Sequence, residues 1–253
     1  MRLLTLARDL SRRKAREREG LFVVEGVRAC EELARSPLEV LGVLAAPQRV
    51  EGERGARLRD AFTGRGIAVT EVTDREFQSA AETESPQGVL AVARVPGYSL
   101  DPVPPSASRI LVLDAVQDPG NVGTLIRTAA ALGTWATVAL PGTVDVWNAK
   151  VVRSAMGAHF HHPAMHASWE ALRDFCTRHD FALWGADMGG ADVASVRAPA
   201  RCALAVGNEG SGLSPHVREA LAQCVSLPIS PVVESLNVAV AAGILLYQLR
   251  PDA

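Results

Sequence analysis

Short apolar runs alternate with stretches of helical periodicity along the chain, and the alternation is interrupted once. Before the interruption the pattern predicts a basic, leucine-bearing helix to about Arg18, strands at Leu21–Val24 and near Val40–Leu44, and a helix at Val27–Arg35 between them. A helix around Glu53–Phe62, a short strand at Ile67–Val69, a helix near Asp74–Ala80 and a strand at Gly88–Val92 complete a small α/β unit. Residues 95–107 then carry Pro96, Gly97, Pro102, Pro104 and Pro105, a composition that neither holds a helix nor pairs in a sheet. Beyond it the predicted strands are Arg109–Leu113, Ala136–Leu140, Phe181–Ala186, Cys202–Val206 and Val225–Pro228. The predicted helices are Asn121–Leu132 (ended by Gly133), Val146–Met156, Ser168–His179, 215–222 and Ser235–Leu249. Strands alternating with helices give a parallel sheet covered on both faces. The expected organisation is a domain at 1–97, a linker at 98–107 and a domain at 108–253.

Composition narrows this little: 253 residues, 48% hydrophobic and 21% charged, describe a globular protein able to bury a substantial core. The longest strongly apolar stretch, Val238–Leu246, is too short to span a bilayer, and the N-terminus lacks the apolar core of a signal peptide. A cytoplasmic location is therefore expected. Cys30, Cys176, Cys202 and Cys224 lie far apart, which indicates small core hydrophobes and neither a disulfide framework nor a zinc site. His159, His161, His162 and His166 have no cysteine or carboxylate at ligand spacing, so no metal is expected there, and they read as exposed histidines on a strand edge. Trp135, Trp147, Trp169 and Trp184 sit in or beside apolar runs and read as core. The net charge of −2 argues against a nucleic-acid partner, but residues 1–20 hold seven basic side chains, including Arg12, Arg13, Lys14 and Arg16, against three acidic ones. Two readings stand: a basic surface that meets phosphates, or a solvated helix with ion pairs such as Arg13–Glu17.

The unusual residues fall in three loops at carboxyl ends of predicted strands, where parallel α/β sheets place their ligands. The first runs from Asp114 through Asp118-Pro119-Gly120-Asn121 into a helix on which Gly123 and Arg127 share a face. The second is Gly207-Asn208-Glu209-Gly210-Ser211-Gly212. Its glycine order is G-x-x-G-x-G, not the G-x-G-x-x-G of dinucleotide sites, and Ser214-Pro215 reads as the start of the next helix. The third, Leu227 to Asn237, is stiffened by Pro228 and Pro231 and enters the last helix through Ser235, the expected N-cap. That helix is apolar on nearly every face and must be buried within the domain or against another subunit.

Together, Asn121-x-Gly123-x-x-x-Arg127, Gly207-Asn208-Glu209-Gly210-x-Gly212 and Glu234-Ser235-Leu236-Asn237-Val238 resemble, in order and spacing, the three motifs of the SpoU (TrmH-like) RNA ribose methyltransferases. Lys150-Val-Val-Arg153-Ser154-x-x-Gly157-Ala158 resembles the segment between that family's first two motifs, and the likeness spans about residues 109–249. More loosely, Lys14-x-Arg16 and Phe22-Val-Val-Glu25-Gly26-Val27 are similar to the start of the small substrate-binding domain that many of these enzymes carry. Pro231 stands where the family usually has glycine, and Leu227 and Ile229 stand where isoleucine and methionine are common.

The resemblance implies an α/β fold with a C-terminal SPOUT domain that threads a deep trefoil knot, S-adenosylmethionine bound in the knot, and a homodimer. The N-terminal α/β domain would share the fold of RNA-binding ribosomal proteins, with Arg12, Arg13, Lys14 and Arg16 on RNA. The cofactor would lie among loops 187–190, 207–212 and 227–237, against Gly207, Asn208, Gly210, Gly212, Leu227, Ile229 and Leu236, held mainly by backbone groups. The catalytic set would be Asn121, Arg127, Glu209, Ser235 and Asn237. Arg127, with Asn121, would bind the target nucleotide's phosphate and hydroxyl, and Glu209 would orient Arg127 or accept the proton. A guanidinium is always protonated, so Arg127 is read as a stabiliser and not a base. The expected activity is methyl transfer to a ribose 2′-hydroxyl of ribosomal or, less favoured, transfer RNA. An RNA-binding protein that keeps the fold but little catalysis, a base-methylating relative, and a nicotinamide-dependent oxidoreductase are the competing classes.

Overall fold

The computed structural model describes residues 2–50 and 52–250. Residues 1, 51 and 251–253, which include the outer ends of both expected domains, lie outside the described residues. The chain forms two compact units, residues 1–97 with Trp147–His161, and residues 98–146 with 162–253.

The first unit contains α1 (Arg2–Asp9), α2 (Arg13–Glu19), β1 (Leu21–Glu25), α3 (Val27–Arg35), β2 (Val40–Ala45), α4 (Gly52–Thr63), β3 (Val69–Glu71), α5 (Asp74–Gln78) and β4 (Val89–Arg94). Its sheet has the order β1-β4-β2-β3, with β4 antiparallel to β1 and β2 and β3 parallel to β2. One expected basic helix is in fact two. The break at Leu10–Arg12 is held by Arg16, which is buried and donates from Nη1 to the carbonyls of Leu10 (2.7 Å) and Ser11 (2.8 Å), acceptors that a helix end leaves open. Gly20, in the left-handed region at φ +63°, ends α2. Leu4, Leu10, Leu21, Val23, Phe77 and Leu90 are among the residues of the core.

The remaining elements are β5 (Arg109–Leu113), α6 (Pro119–Ala131), β6 (Ala136–Ala139), α7 (Ala149–Ser154), β7 (Ala164–His166), α8 (Trp169–Arg178), β8 (Ala182–Asp192), β9 (Cys202–Val206), α9 (Pro215–Glu219), β10 (Gln223–Ser226) and α10 (Val238–Gln248). Of these α7 belongs to the first unit and packs against β1; its neighbour Trp147 lies 4.5 Å from the Phe22 ring, centroid to centroid. The second unit is built on a six-stranded, all-parallel sheet of order β10-β8-β9-β5-β6-β7. Both β5 and β9 are buried at every residue, as central strands with helices on both faces require. Residues 187–190, expected in a loop, are part of the long strand β8, and the three-residue β7 has too short an apolar run to be recognised in sequence.

Two histidines correct the sequence reading. His159 is fully buried in the first unit, edge-on to Trp147, and His162 is 4% exposed in the second, its Nε2 2.9 Å from Thr137 Oγ1. Only His161 and His166 are exposed as expected. Trp147 and Trp184 are buried, and Trp135 and Trp169 pack partly buried against the core of the second unit.

Candidate functional site

The strands β8, β9 and β5 are parallel neighbours, so their carboxyl ends open on one side of the sheet. The turn after β5 is built to start a helix: Asp118 is the N-cap of α6 and accepts from the Asn121 amide (2.8 Å), and Pro119 occupies the first turn. Asp114, buried at the end of β5, accepts from the Ser214 amide (2.6 Å) and so ties this turn to the start of α9. Ser214 is the N-cap residue of α9 by backbone conformation, but its side chain makes no capping bond.

The turn after β9 is closed rather than flexible. The Asn208 amide donates to the Gly212 carbonyl (2.9 Å) and the Gly212 amide to the Asn208 carbonyl (3.0 Å). Asn208 Oδ1 accepts from the amides of Gly210 and Ser211, and its Nδ2 donates to the Ala115 carbonyl. The three glycines have separate reasons. A Cβ at Gly207 would lie 2.2 Å from the Gly212 carbonyl carbon and 2.4 Å from the Leu213 nitrogen; Gly212 sits at φ +70°. Gly210 has neither constraint: a Cβ there would make an ordinary contact with Asn208 Oδ1 at 3.7 Å.

Glu209 projects from this turn onto the first one. Its Oε1 accepts from the Asp118 amide (3.1 Å) and Asn121 Nδ2 (3.0 Å), and Oε2 accepts from the Gln117 amide (3.2 Å). Asn121 Oδ1 accepts in turn from Asn237 Nδ2 (2.9 Å), and Asn237 is the N-cap of α10, its Oδ1 accepting from the amides of Ala239 and Val240. Ser235, the expected cap, lies two residues earlier on the exposed loop. Partial burial pushes the Glu209 carboxyl up, but the bonds from Asn121, Asp118 and Gln117 outweigh it and hold the group below the usual carboxylate range. The expectation that Glu209 orients Arg127 is corrected here: its acceptor capacity goes to Asn121 and two amides. Arg127 is exposed on α6 and makes no hydrogen bond or ion pair with another described residue.

Beside this network lies a cleft of about 910 Å³. Its walls are the 207–212 turn, residues 186–188 of β8, and residues 225–227, 229 and 234–238; all seven expected cofactor residues, Gly207, Asn208, Gly210, Gly212, Leu227, Ile229 and Leu236, line it. Glu209, Ser235 and Asn237 line it too, whereas Asn121 and Arg127 stand outside its wall. Met188, Leu227, Ile229 and Leu236 supply apolar surface and the glycine turn supplies bare peptide groups. The volume lies within the range of small-molecule sites, and an apolar cleft with exposed peptide edges suits a flat nucleoside. Asp187 and Arg218 also line it, joined by a 2.6 Å ion pair that holds the Asp187 carboxyl below its ordinary range. The expected cofactor stretch 187–190 begins at Asp187, but the sequence singles out neither Asp187 nor Arg218. Asp187 follows a recognisable strand run, but a lone arginine on the short helix α9 carries no signal.

The expected RNA-contacting residues separate in the first unit. Arg12 pairs with Asp9, Arg13 pairs with Glu17 at 2.7 Å as the solvated-helix reading expects, and Lys14 is exposed. Arg16 cannot meet a phosphate, because its guanidinium is buried on the Leu10 and Ser11 carbonyls. Among the described residues no group of three or more His, Cys, Asp or Glu could hold a metal ion, and no helix is long and apolar enough to cross a membrane.

Comparison with known proteins agrees with this geometry. Residues 108–247 match the SpoU rRNA Methylase family and residues 5–91 the MRM3-like substrate binding domain. The chain is 35% identical over 245 residues to the 23S rRNA (guanosine(2553)-2′-O)-methyltransferase RlmP of Bacillus subtilis, covering 96% of this chain and 94% of that one. It is 32% identical over 249 residues to the 23S rRNA (uridine(2479)-2′-O)-methyltransferase of Streptomyces viridochromogenes, covering 94% and 85%. Among solved structures, the SpoU methyltransferase AviRb from Streptomyces viridochromogenes in complex with the cofactor AdoMet superposes with a TM-score of 0.86 at 28% identity, covering 98% and 96%.

Proposed function

The chain belongs to the SpoU rRNA methylase family, and on that premise we propose how it works as an S-adenosylmethionine-dependent methyltransferase acting on a ribose 2′-hydroxyl of ribosomal RNA. The cofactor, when bound, supplies an electrophilic methyl group on a sulfonium. The glycine turn that no side chain could enter at position 207, together with the apolar residues around it, fits the nucleoside of such a cofactor in size and character.

In-line transfer demands that oxygen, methyl and sulfur be aligned, so the residues beside the cleft act chiefly by position. Asn121 is fixed at both ends of its carboxamide, by Glu209 and by Asn237, and presents its remaining donor and acceptor in one orientation. Glu209 is the brace of this arrangement. A carboxylate held low in pKa, with both oxygens already accepting, is a weak base, so its role is to hold Asn121 and not to take the hydroxyl proton. Arg127, permanently protonated and uncommitted to any carboxylate among the described residues, binds the target nucleotide's phosphate and stabilises charge developing on its oxygen. Ser235 lies on the exposed stretch of the third loop, where water reaches the site and carries the proton away.

The same reading assigns residues 1–97 to substrate RNA, with Arg12, Arg13 and Lys14 on phosphates, residues 98–107 to a linker, and residues 108–253 to the cytoplasmic enzyme's catalytic domain. A trefoil knot in that domain is supported by the path of the chain: β10 lies at the sheet edge beyond β8, yet α10 after it packs against α6 and β9. A homodimer is supported by the bare apolar face of α10, where Val240 and Tyr247 are each 52% exposed and Ile244 is 41% exposed.

The observation that carries this function is the Asn121–Glu209–Asn237 network, which joins three separate loops beside a nucleoside-sized cleft. Its test is Arg127→Ala. Methylation of ribosomal RNA should fall by roughly a thousandfold, as loss of a charge-stabilising donor does, while calorimetric affinity for S-adenosylmethionine stays within about twofold. Equal loss of both would remove Arg127 from this role, and a methyl group found on a base would remove the ribose assignment.

A further inference from the structure

The strand order constrains which way round a nucleoside cofactor lies in the cleft. The end of β5 and the Asn121–Glu209–Asn237 network stand on one side of β9; on the other runs β8, in which Asp187 lies two residues beyond Gly185, the last residue paired with β9. Adjacent strands are about 4.8 Å apart, so β5 and β8, one on each side of β9, are separated by about 10 Å where they pair with it. If the reactive sulfonium is turned toward the Asn121 side, as the proposed function requires, the nucleoside extends along the cleft toward β8. Its ribose then reaches Asp187.

Asp187 is suited to that ribose in donor and acceptor arithmetic. Its Oδ2 accepts from Arg218 Nη2 at 2.6 Å and its Oδ1 from the Gly189 amide at 3.1 Å. A carboxylate has about four lone-pair sites, so two remain, and a vicinal diol offers two hydroxyl donors. The pair stands beside Gly212, where a Cβ would lie 3.6 Å from Arg218 Nη2 and 3.9 Å from Asp187 Oδ2, and both side chains belong to residues that line the cleft. Glu209 cannot serve in its place, because it points to the β5 side and its oxygens already accept from Gln117, Asp118 and Asn121.

We propose that Asp187 accepts hydrogen bonds from the 2′,3′-diol of the cofactor's ribose, and that Arg218 is the positioning residue that aims it. This rests on the cleft being the S-adenosylmethionine site, and it adds a residue that selects ribonucleosides there. Arg218 acts through Asp187 and does not touch the diol.

Calorimetry of the full chain with S-adenosylhomocysteine and with its 2′,3′-dideoxy analogue separates the possibilities without methyl transfer. The unmodified protein should prefer the diol by roughly tenfold or more, the range of hydrogen bonds to a charged group. Asp187→Ala should reduce that preference to within about twofold. Arg218→Ala, which leaves the carboxylate but frees it, should lower the preference by a smaller factor. If Asp187→Ala shows no cooperative melting transition, Asp187→Asn takes its place and should lower the preference at least about threefold. A preference that survives in the Asp187 variant, even with both ligands bound more weakly, overturns the assignment and leaves Asp187 a structural role. Absence of binding by the unmodified protein overturns the cofactor reading itself, and this proposal with it.

Discussion

Arg16 and His162 are polar side chains in largely apolar surroundings, and they meet that constraint in different ways. Arg16 donates from Nη1 to the Leu10 and Ser11 carbonyls, whereas His162 is neutral, because burial pushes its pKa down to about 4. Between pH 6.5, the ordinary histidine value, and pH 4, the unfolded chain binds a proton that the folded chain refuses. The contribution of His162 is therefore complete above pH 6.5 and is lost as the pH falls toward 4, about 2 kcal/mol of it by pH 5. Denaturant unfolding at pH 7 and pH 5 should show that loss, and His162→Gln should flatten it; an unchanged pH dependence in the variant would exclude His162 as its source. At this scale the sequence was a mixed guide. The reasons for Gly207 and Gly212 were legible in kind, since close approach and positive φ are what glycines in a turn supply, but four histidines within eight residues gave no sign of which were buried.

At the scale of elements, α2 divides its basic residues between two tasks that sequence alone could not separate. Lys14 and Arg16 are two residues apart, so they lie on different faces of the helix, one toward solvent and one toward the core. Lys14→Ala should weaken RNA binding and reduce its salt dependence by about one ion, with the melting temperature unchanged. Arg16→Met should do the reverse, removing about 3 kcal/mol of stability at full RNA affinity for the folded fraction. Filter binding at several salt concentrations, paired with thermal unfolding, reads both; a salt slope altered by Arg16→Met and not by Lys14→Ala would reverse the assignment. Central strands were the most legible elements: β5 and β9 were predicted to the residue, because a strand buried on both faces must be apolar throughout. The start of α10 was less so. Ser235 and Asn237 are both good caps, and Asn237 takes the position because its amide group also reaches Asn121 across the site.

For the whole molecule, the bare face of α10 bears on assembly. Ala239, Ala242, Leu245 and Leu246 are buried against the second unit, while Val240, Ile244 and Tyr247 form an exposed apolar stripe at spacings of four and three residues. In a homodimer that stripe is covered, so Ile244→Glu should shift the protein from dimer to monomer in sedimentation velocity with its far-ultraviolet spectrum intact. A monomeric unmodified protein would exclude the dimer. The sequence by itself determined the α/β alternation and the three loops that carry polar chemistry, because periodicity and turn composition are local properties. Only the tertiary structure decided that Glu209 holds Asn121 and not Arg127, that Arg16 is buried while Lys14 is exposed, and that Asp187 and Arg218 share the cleft with the glycine turn. Those outcomes depend on which strands are neighbours: β9 beside β5 brings together Glu209 and Asn121, 88 positions apart, and no local pattern encodes that order.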